Sequence, residues 1–212
     1  MKKIIIFGLL LFGAYKLYSS GTFEQLPFMQ KAGAFDANGH AMVRLFVGPG
    51  CEAACGNIEA QLKRRKIDYE LVDIASPEGA KFGVRQYPLV QIGHDSAPVG
   101  DPLELVGVLA SNLGPAVLTR SEDLALQNHF DAKGRPMVVL YGTDWCPHCK
   151  RQRAFFKDNN IAFTELDPEK SDVAKTAYTL LHGQGYPMTY VGYRRFVGYN
   201  EGGIKQALAA IR

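Results

Sequence analysis

From residue 41 onward, apolar and polar positions run through the same order of patterns twice. A β-branched run at Val43–Val47 leads into a stretch with apolar residues at helical spacing, then a strand-like run at residues 69–74. A less regular helical stretch follows, and an X-Pro step at Tyr87-Pro88 starts a third strand. The second pass has Val138–Tyr141, a helical stretch carrying Phe155 and Phe156, residues 162–166, and the step Tyr186-Pro187. Each pass ends in a glycine turn and a closing helix. Strand, helix, strand in this order predicts a right-handed parallel crossover with helices on the sheet. The strand after the proline is trailed by a short apolar run, such as residues 195–197, which predicts an antiparallel hairpin completing the sheet. The expected fold class is α/β, as two tandem domains.

The two passes also match residue by residue. "MVRLF" at residues 42–46 matches "MVVLY" at 137–141, and Cys51 falls 95 residues before Cys146. "KIDYELVD" at 66–73 matches "NIAFTELD" at 160–167 with an offset of 94, and "QYPLVQIG" at 86–93 matches "GYPMTYVG" at 185–192 with an offset of 99. Each copy spans about 75 residues, within the range that folds alone. The expected domains are 41–113 and 135–212, joined by a linker at 114–134 that could hold a short helix or run free. Residues 22–40 have no sustained period and contain Pro, Gly and Asn, so they read as a tether. Residues 1–21 pair Lys2 and Lys3 with an apolar run at 4–15, the arrangement of a signal peptide or signal anchor. The run is shorter than the roughly 20 residues of a usual span. Snorkelling by Lys16 lengthens it, which favours an anchor. The positive-inside bias places the lysines in the cytoplasm and the rest across the membrane, in a bacterial periplasm.

Composition narrows the picture little. With 212 residues, 47% hydrophobic content and 21% charge, the chain is an ordinary folded protein. Its net charge of +3 comes from 24 basic and 21 acidic residues, and Lys2, Lys3 and Lys16 account for the excess. The remainder is neutral, which argues against nucleic acid as a partner.

The chemistry concentrates in "WCPHC", Trp145 to Cys149, between the first strand and the first helix of the second copy. A cysteine reacts as the thiolate, and the free N–H groups and positive dipole end of a helix N-terminus favour that anion. Pro147 suits the first helical turn because it lacks a donor that would be unpaired there. His148, when protonated near the sulfur, adds to the effect. These positions make Cys146 the candidate nucleophile and Cys149 the thiol that resolves its mixed disulfide. Rival readings are a structural disulfide, whose loop would be too short to restrict the unfolded chain much, and a metal site, for which the cysteine spacing is unusual.

The order of elements, "WCPHC" after the first strand and "YP" about forty residues later resemble the glutaredoxin branch of the thioredoxin-like fold, over residues 135–212 and more weakly over 41–113. The resemblance implies a cis Pro187 whose strand faces Cys146, so that the preceding residue can pair with an extended substrate. Family members often have Thr-Val before this proline. Here Gly185 and Tyr186 stand there, and Tyr186 either narrows the groove or forms its rim. The resemblance marks Trp145, Pro147, His148, Tyr186, Pro187, Gly198 and Tyr199 as substrate-binding. The last two lie in "VGYNEGG", residues 197–203, where relatives that use glutathione hold its γ-glutamyl end. The implied activity is thiol-disulfide exchange outside the cytoplasm on protein or glutathione-mixed disulfides. No cofactor or metal is expected; the iron-sulfur clusters that some family members hold are disfavoured by Pro147 and export. Glutathione could serve as co-substrate, and a thiol reductase or oxidase as electron partner. The string C-P-H-C is similar to that of the bacterial periplasmic disulfide oxidase, so the direction of electron flow stays open.

The first copy carries "CEAAC", with Gly50 and Glu52 where Trp145 and Pro147 stand. Spacing of four keeps Cys51 and Cys55 on one helical face but holds the sulfurs apart, so bridging would need local distortion. The copy reads as degenerate, a spacer or docking platform; a second redox pair at Cys51 and Cys55 is the sharper alternative. His40, His94, His129 and His182 read as isolated loop or surface residues. The basic run at 63–66 reads as charges complementing a helix C-terminus. Lys150, Arg151 and Arg153 could steer an anionic thiol. An alternative to the enzyme is a redox-silent, membrane-tethered docking module, and the two differ at Cys146: the enzyme needs an exposed, reactive thiol there.

Overall fold

The computed structural model describes residues 33–98 and 102–211. The expected anchor at 1–21 and all but the end of the tether lie outside them. Among the described residues, no helix is long and apolar enough to cross a membrane.

Two four-stranded sheets carry the repeat. The first contains β1 (Val43–Val47), β2 (Glu70–Asp73), β3 (Leu89–Ile92) and β4 (Asp95–Pro98) in the order β2-β1-β3-β4. Helices α1 (Glu52–Arg64), α2 (Pro77–Ala80) and α3 (Pro102–Leu113) accompany it. The second contains β5 (Val138–Tyr141), β6 (Thr164–Leu166), β7 (Met188–Val191) and β8 (Arg194–Val197) in the order β6-β5-β7-β8. In each, the central strand pairs in parallel with the crossover strand and antiparallel with the strand after the proline. Register agrees as well: Leu45 pairs with Leu71, and the matching Leu140 pairs with Glu165. Both Tyr87-Pro88 and Tyr186-Pro187 are cis.

Side-chain alternation explains how β5 is buried on both faces. Val138 and Leu140 pack against Phe155 and Phe156 of α5 (Pro147–Asp158) and Ile204 and Ala207 of α7 (Glu201–Ala210). Val139 and Tyr141 point the other way, against Ala177 of α6 (Asp172–Leu180) and Ala125 and Leu126 of α4 (Arg120–Leu126). The first sheet buries Val43 and Leu45 against α1 and α3. On its opposite face Phe82, just after the one-turn α2, lies edge-on to Phe46 at 5.3 Å between ring centres.

The segment expected as a linker is ordered. It forms a 3-10 turn at Pro115–Val117, then α4, then a second 3-10 turn at Gln127–His129. A capping box starts α4: Thr119 accepts the Glu122 N–H, and Glu122 accepts the Thr119 N–H. Arg65 ties this helix to the end of α1, donating to both Glu122 oxygens at 2.8 Å and to the Val117 carbonyl at 2.7 Å. The basic run is thereby corrected, because Arg65 is a buried ion-pair partner, its side chain 6% exposed. Burial raises the Glu122 pKa, but Arg65 and the Thr119 amide more than reverse this, leaving it below the ordinary carboxylate value.

Ala34–Arg212 forms one compact unit. Its halves meet where α3 passes the turn between β7 and β8. A Cβ on Gly107 would come within 2.4 Å of the Tyr193 carbonyl oxygen, so only glycine fits there. Asp95, held by Asn112, reaches Arg194 at 3.4 Å across the same boundary.

The repeat also begins earlier than residue 41. "FDANGHA" at 35–41 and "FDAKGRP" at 130–136 are again 95 apart. Asp36 accepts the N–H groups of Asn38 and His40, and Asp131 those of Lys133 and Arg135. A glycine with positive φ closes each turn, Gly39 at +82° and Gly134 at +74°.

His129 corrects its surface assignment. The 3-10 turn tucks it against the second sheet, with no exposure, Nε2 at 2.9 Å from the Tyr141 hydroxyl and its ring 4.5 Å from that of Tyr190. Burial pushes its pKa down to about 3, so it is a neutral core residue.

Candidate functional site

The second β-α junction places the free cysteine pair. After β5, residues 142–145 turn the chain, and Cys146 is the N-cap of α5 in extended backbone, with Pro147 at the first helical position. The Cys146 sulfur accepts the N–H of Cys149 at 3.1 Å, satisfying one of the amides a helix start leaves unpaired. Both thiols are free. They are also buried, Cys146 with 3% exposure and Cys149 with none, so the expected exposed nucleophile is corrected. The Cys149 thiol is pushed up to about 12, first by burial and then by its hydrogen bond to the Cys146 sulfur. The Thr143 amide and the Arg153 charge oppose that rise.

An aromatic rim stands beside the pair. Trp145 is 64% exposed, and its indole N–H donates to both Glu169 oxygens, at 3.0 and 3.2 Å. Tyr186 meets the Trp145 ring nearly edge-on at 6.1 Å and stacks on Tyr178 at 5.0 Å. The Tyr178 hydroxyl donates to the Gly185 carbonyl at 3.1 Å, which holds the stack to the backbone before the cis proline. Burial pushes the Tyr186 phenol up to about 12. Pro187 is buried and its carbonyl accepts the Gly198 N–H at 2.8 Å. Pro147 and His148 are exposed. Tyr199 is half-buried, with Phe155 on one side, the Arg151 guanidinium 4.1 Å from its ring centre, and its hydroxyl bonded to Glu201.

Of Lys150, Arg151 and Arg153, the last is already engaged. It grips Glu165 of β6 through Nε and Nη2, the shortest contact 2.6 Å, and donates to the Thr143 carbonyl at 2.9 Å. Lys150 is exposed. Sequence reasoning missed Glu165, Glu169 and Tyr178. For Glu165 a signal existed, since the matched block has Leu71 at that place.

The first copy differs at the same junction. Cys51 is the N-cap of α1, Cys55 lies in its first turn, and the two form a disulfide with Cα atoms 5.4 Å apart. The expectation that spacing of four resists bridging is therefore corrected. Cys51 precedes the helix and is free of its geometry, so an ordinary disulfide separation is reached. Tyr87, the counterpart of Tyr186, lies over the loop before it. Its ring would meet a Cβ on Gly48 at 2.8 Å, and its hydroxyl donates to the Pro49 carbonyl at 3.2 Å.

A cavity of about 580 Å³ is lined by Val43, Arg65, Tyr69 and Val117, and one of about 370 Å³ by Val138, Ile161 and Phe163; neither is lined by a cysteine. Among the described residues, no three or more His, Cys, Asp or Glu gather as a metal site.

Residues 138–195 match the family model "Glutaredoxin". This segment belongs to the glutaredoxin family. Among solved structures, a glutaredoxin (grx-1) from Archaeoglobus fulgidus is 29% identical, over 36% of this chain and 89% of that one, with a TM-score of 0.32. A mutant form of the thioredoxin-like protein BC3987 is 24% identical over 35% of this chain and 96% of that one, with a TM-score of 0.32. A glutaredoxin from Methanosarcina mazei Go1 is 18% identical over 39% and 98%, with a TM-score of 0.31. No curated protein matches.

Proposed function

We propose that the glutaredoxin segment catalyses thiol-disulfide exchange. The observation that carries this reading is a free cysteine at the N-cap of α5 with a second free cysteine one turn on, its amide donating to the first sulfur. Cys146 attacks a substrate disulfide, one substrate thiol leaves, and a mixed disulfide remains. Cys149 then attacks Cys146, the second thiol leaves, and an intramolecular disulfide forms. Trp145 and Tyr186 form the rim over which a substrate approaches. Protein or glutathione-mixed disulfides outside the cytoplasm are the substrates, with the membrane tether upstream. Glutathione, or a thiol reductase or oxidase, resets the pair. The half containing Cys51 and Cys55 serves as a docking platform.

The test is the reduction potential of the Cys146-Cys149 pair in the whole chain, with Cys146→Ser as control. A reversible potential and loss of disulfide reduction in the variant are expected; a pair that does not cycle would sink the enzyme. The low exposure of Cys146 favours one second reading, a redox-silent docking module. Partner binding that survives Cys146→Ser in a chain without exchange activity would support it.

A further inference from the structure

The tyrosine before the proline turns differently in the two halves, although the strand that follows it pairs in the same register. Tyr87 lies inward on the loop before Cys51, and Tyr186 lies outward on Tyr178. The position three before the first cysteine is Gly48 in one half and Thr143 in the other. A Cβ on Gly48 would come within 2.8 Å of Tyr87 Cζ and 2.9 Å of its Cε2. Carbon atoms rest at roughly 3.5–4.0 Å, so the inward seat exists only where this residue has no side chain.

We infer that Thr143 is a positioning residue: its side chain fills the inward seat, turns Tyr186 out onto Tyr178, and so keeps the approach to Cys146 open. This rests on the exchange reading above. Thr143 has no exposure, and among the described residues its hydroxyl has no hydrogen-bond partner. What it supplies is bulk rather than polarity.

The outward seat is built as well. Gly183 leaves room for Tyr178, whose ring a Cβ there would meet at 2.2 Å. The Tyr178 hydroxyl donates to the Gly185 carbonyl at 3.1 Å, and Tyr186 stacks on the ring so fixed, with the two planes 29° apart. In the first half Phe82 lies beside Phe46 as Tyr178 lies beside Tyr141, but it has no hydroxyl to make that bond. There Tyr87 donates to the Pro49 carbonyl instead.

The choice of seat matters because this position adjoins sulfur in both halves. The Gly48 amide lies 3.5 Å from the Cys51 sulfur, and the Thr143 amide bonds to that of Cys149. A ring laid on residue 143 would therefore stand against the free pair. Cys146 is 3% exposed with the ring outward, so little cover is needed to close what remains. Thiol exchange depends on access to the sulfur, so a closed seat slows attack without altering either cysteine.

The test is the rate at which iodoacetamide alkylates Cys146 in the reduced full chain, followed by peptide mass spectrometry. Thr143→Gly should slow alkylation about tenfold, as Tyr186 takes the seat that Tyr87 has. Thr143→Val, which keeps the bulk and drops the hydroxyl, should retain the wild-type rate. In a Tyr186→Ala background, Thr143→Gly should change the rate by less than about twofold, because no ring is left to move. Equal slowing with and without the Tyr186 ring would mean that Thr143 supports the loop itself, and would overturn the inference. An unchanged rate in Thr143→Gly would overturn it too. Normal alkylation in a wild-type chain that reduces no disulfide would overturn the exchange reading, while the same rates still decide the seat of Tyr186.

Discussion

The two halves share strand order, register, a cis proline and an aspartate turn, yet only one keeps a free cysteine pair. What they share is set by apolar alternation and turn chemistry, which tolerate many sequences. What separates them is a handful of positions around one helix start. A closed disulfide stands against two free thiols, Tyr87 over its loop against Tyr186 stacked aside on Tyr178, and Leu71 against Glu165. A scaffold can therefore lose or close its chemistry without losing its frame.

The sharpest break in this comparison is at the cysteines. Cys146→Ser should abolish disulfide reduction by the whole chain, whereas Cys51→Ser with Cys55→Ser should leave its rate within about twofold and lower the melting temperature. A small-substrate turnover assay beside thermal melts reads both. If the first pair's removal also ended turnover, the halves would be partners in one relay.

The next largest effect concerns how the halves are joined. Arg65→Ala strands Glu122 in a site where its side chain is 14% exposed, and removing one partner of such a pair costs roughly 3–5 kcal/mol. Denaturant unfolding should show that loss, and Arg65→Met with Glu122→Leu should recover much of it. A loss below about 1 kcal/mol would mean that Arg65 acts as a surface charge.

Much of this frame was legible in the sequence, and the gaps have physical causes. Strand order, the crossover and the hairpins followed from apolar periodicity, because a sheet buried on both faces leaves continuous apolar runs such as "VVLY". The aspartate turns were legible too, in "FDA" at 35 and 130, but lie in segments whose polar composition resembles a tether. The closed Cys51-Cys55 bond was not, since helical spacing does not apply to an N-cap residue. His129 and Arg65 were misplaced because their burial comes from packing between segments far apart in sequence, to which a local pattern is blind. At the candidate site, Cys146, Cys149 and Pro187 stood out by motif, whereas Glu165 emerges only when the two copies are laid side by side.

A smaller difference between the halves is pH sensitivity. The position of His129 is taken in the first half by Ala34, equally buried, and Tyr141 by Phe46, so this buried titratable pair has no counterpart there. With the folded pKa at about 3 against an ordinary 6.5, the unfolded chain binds the proton first as pH falls. The contribution of His129 is full above 6.5 and declines by about 1.4 kcal/mol per pH unit between there and 3. His129→Phe should flatten the stability profile between pH 6 and 4 in urea melts; an unchanged slope would place the acid sensitivity elsewhere.

The smallest effect bears most directly on why the first pair is closed. Tyr87 spans from Gly48 to the Pro49 carbonyl, and the disulfide beneath that loop has Cys51 7% and Cys55 5% exposed. Thiol attack on a disulfide depends on access along the sulfur-sulfur axis, so a cover slows reduction without changing the bond. Tyr87→Ala should speed reduction of Cys51-Cys55 by dithiothreitol several-fold, with mass spectrometry following the alkylated thiols. Tyr87→Phe, which keeps the ring but loses the hydrogen bond to Pro49, should fall between. If both variants are reduced at the wild-type rate, protection comes from the helix start itself, and the contrast between Tyr87 and Tyr186 loses its part in separating the two halves.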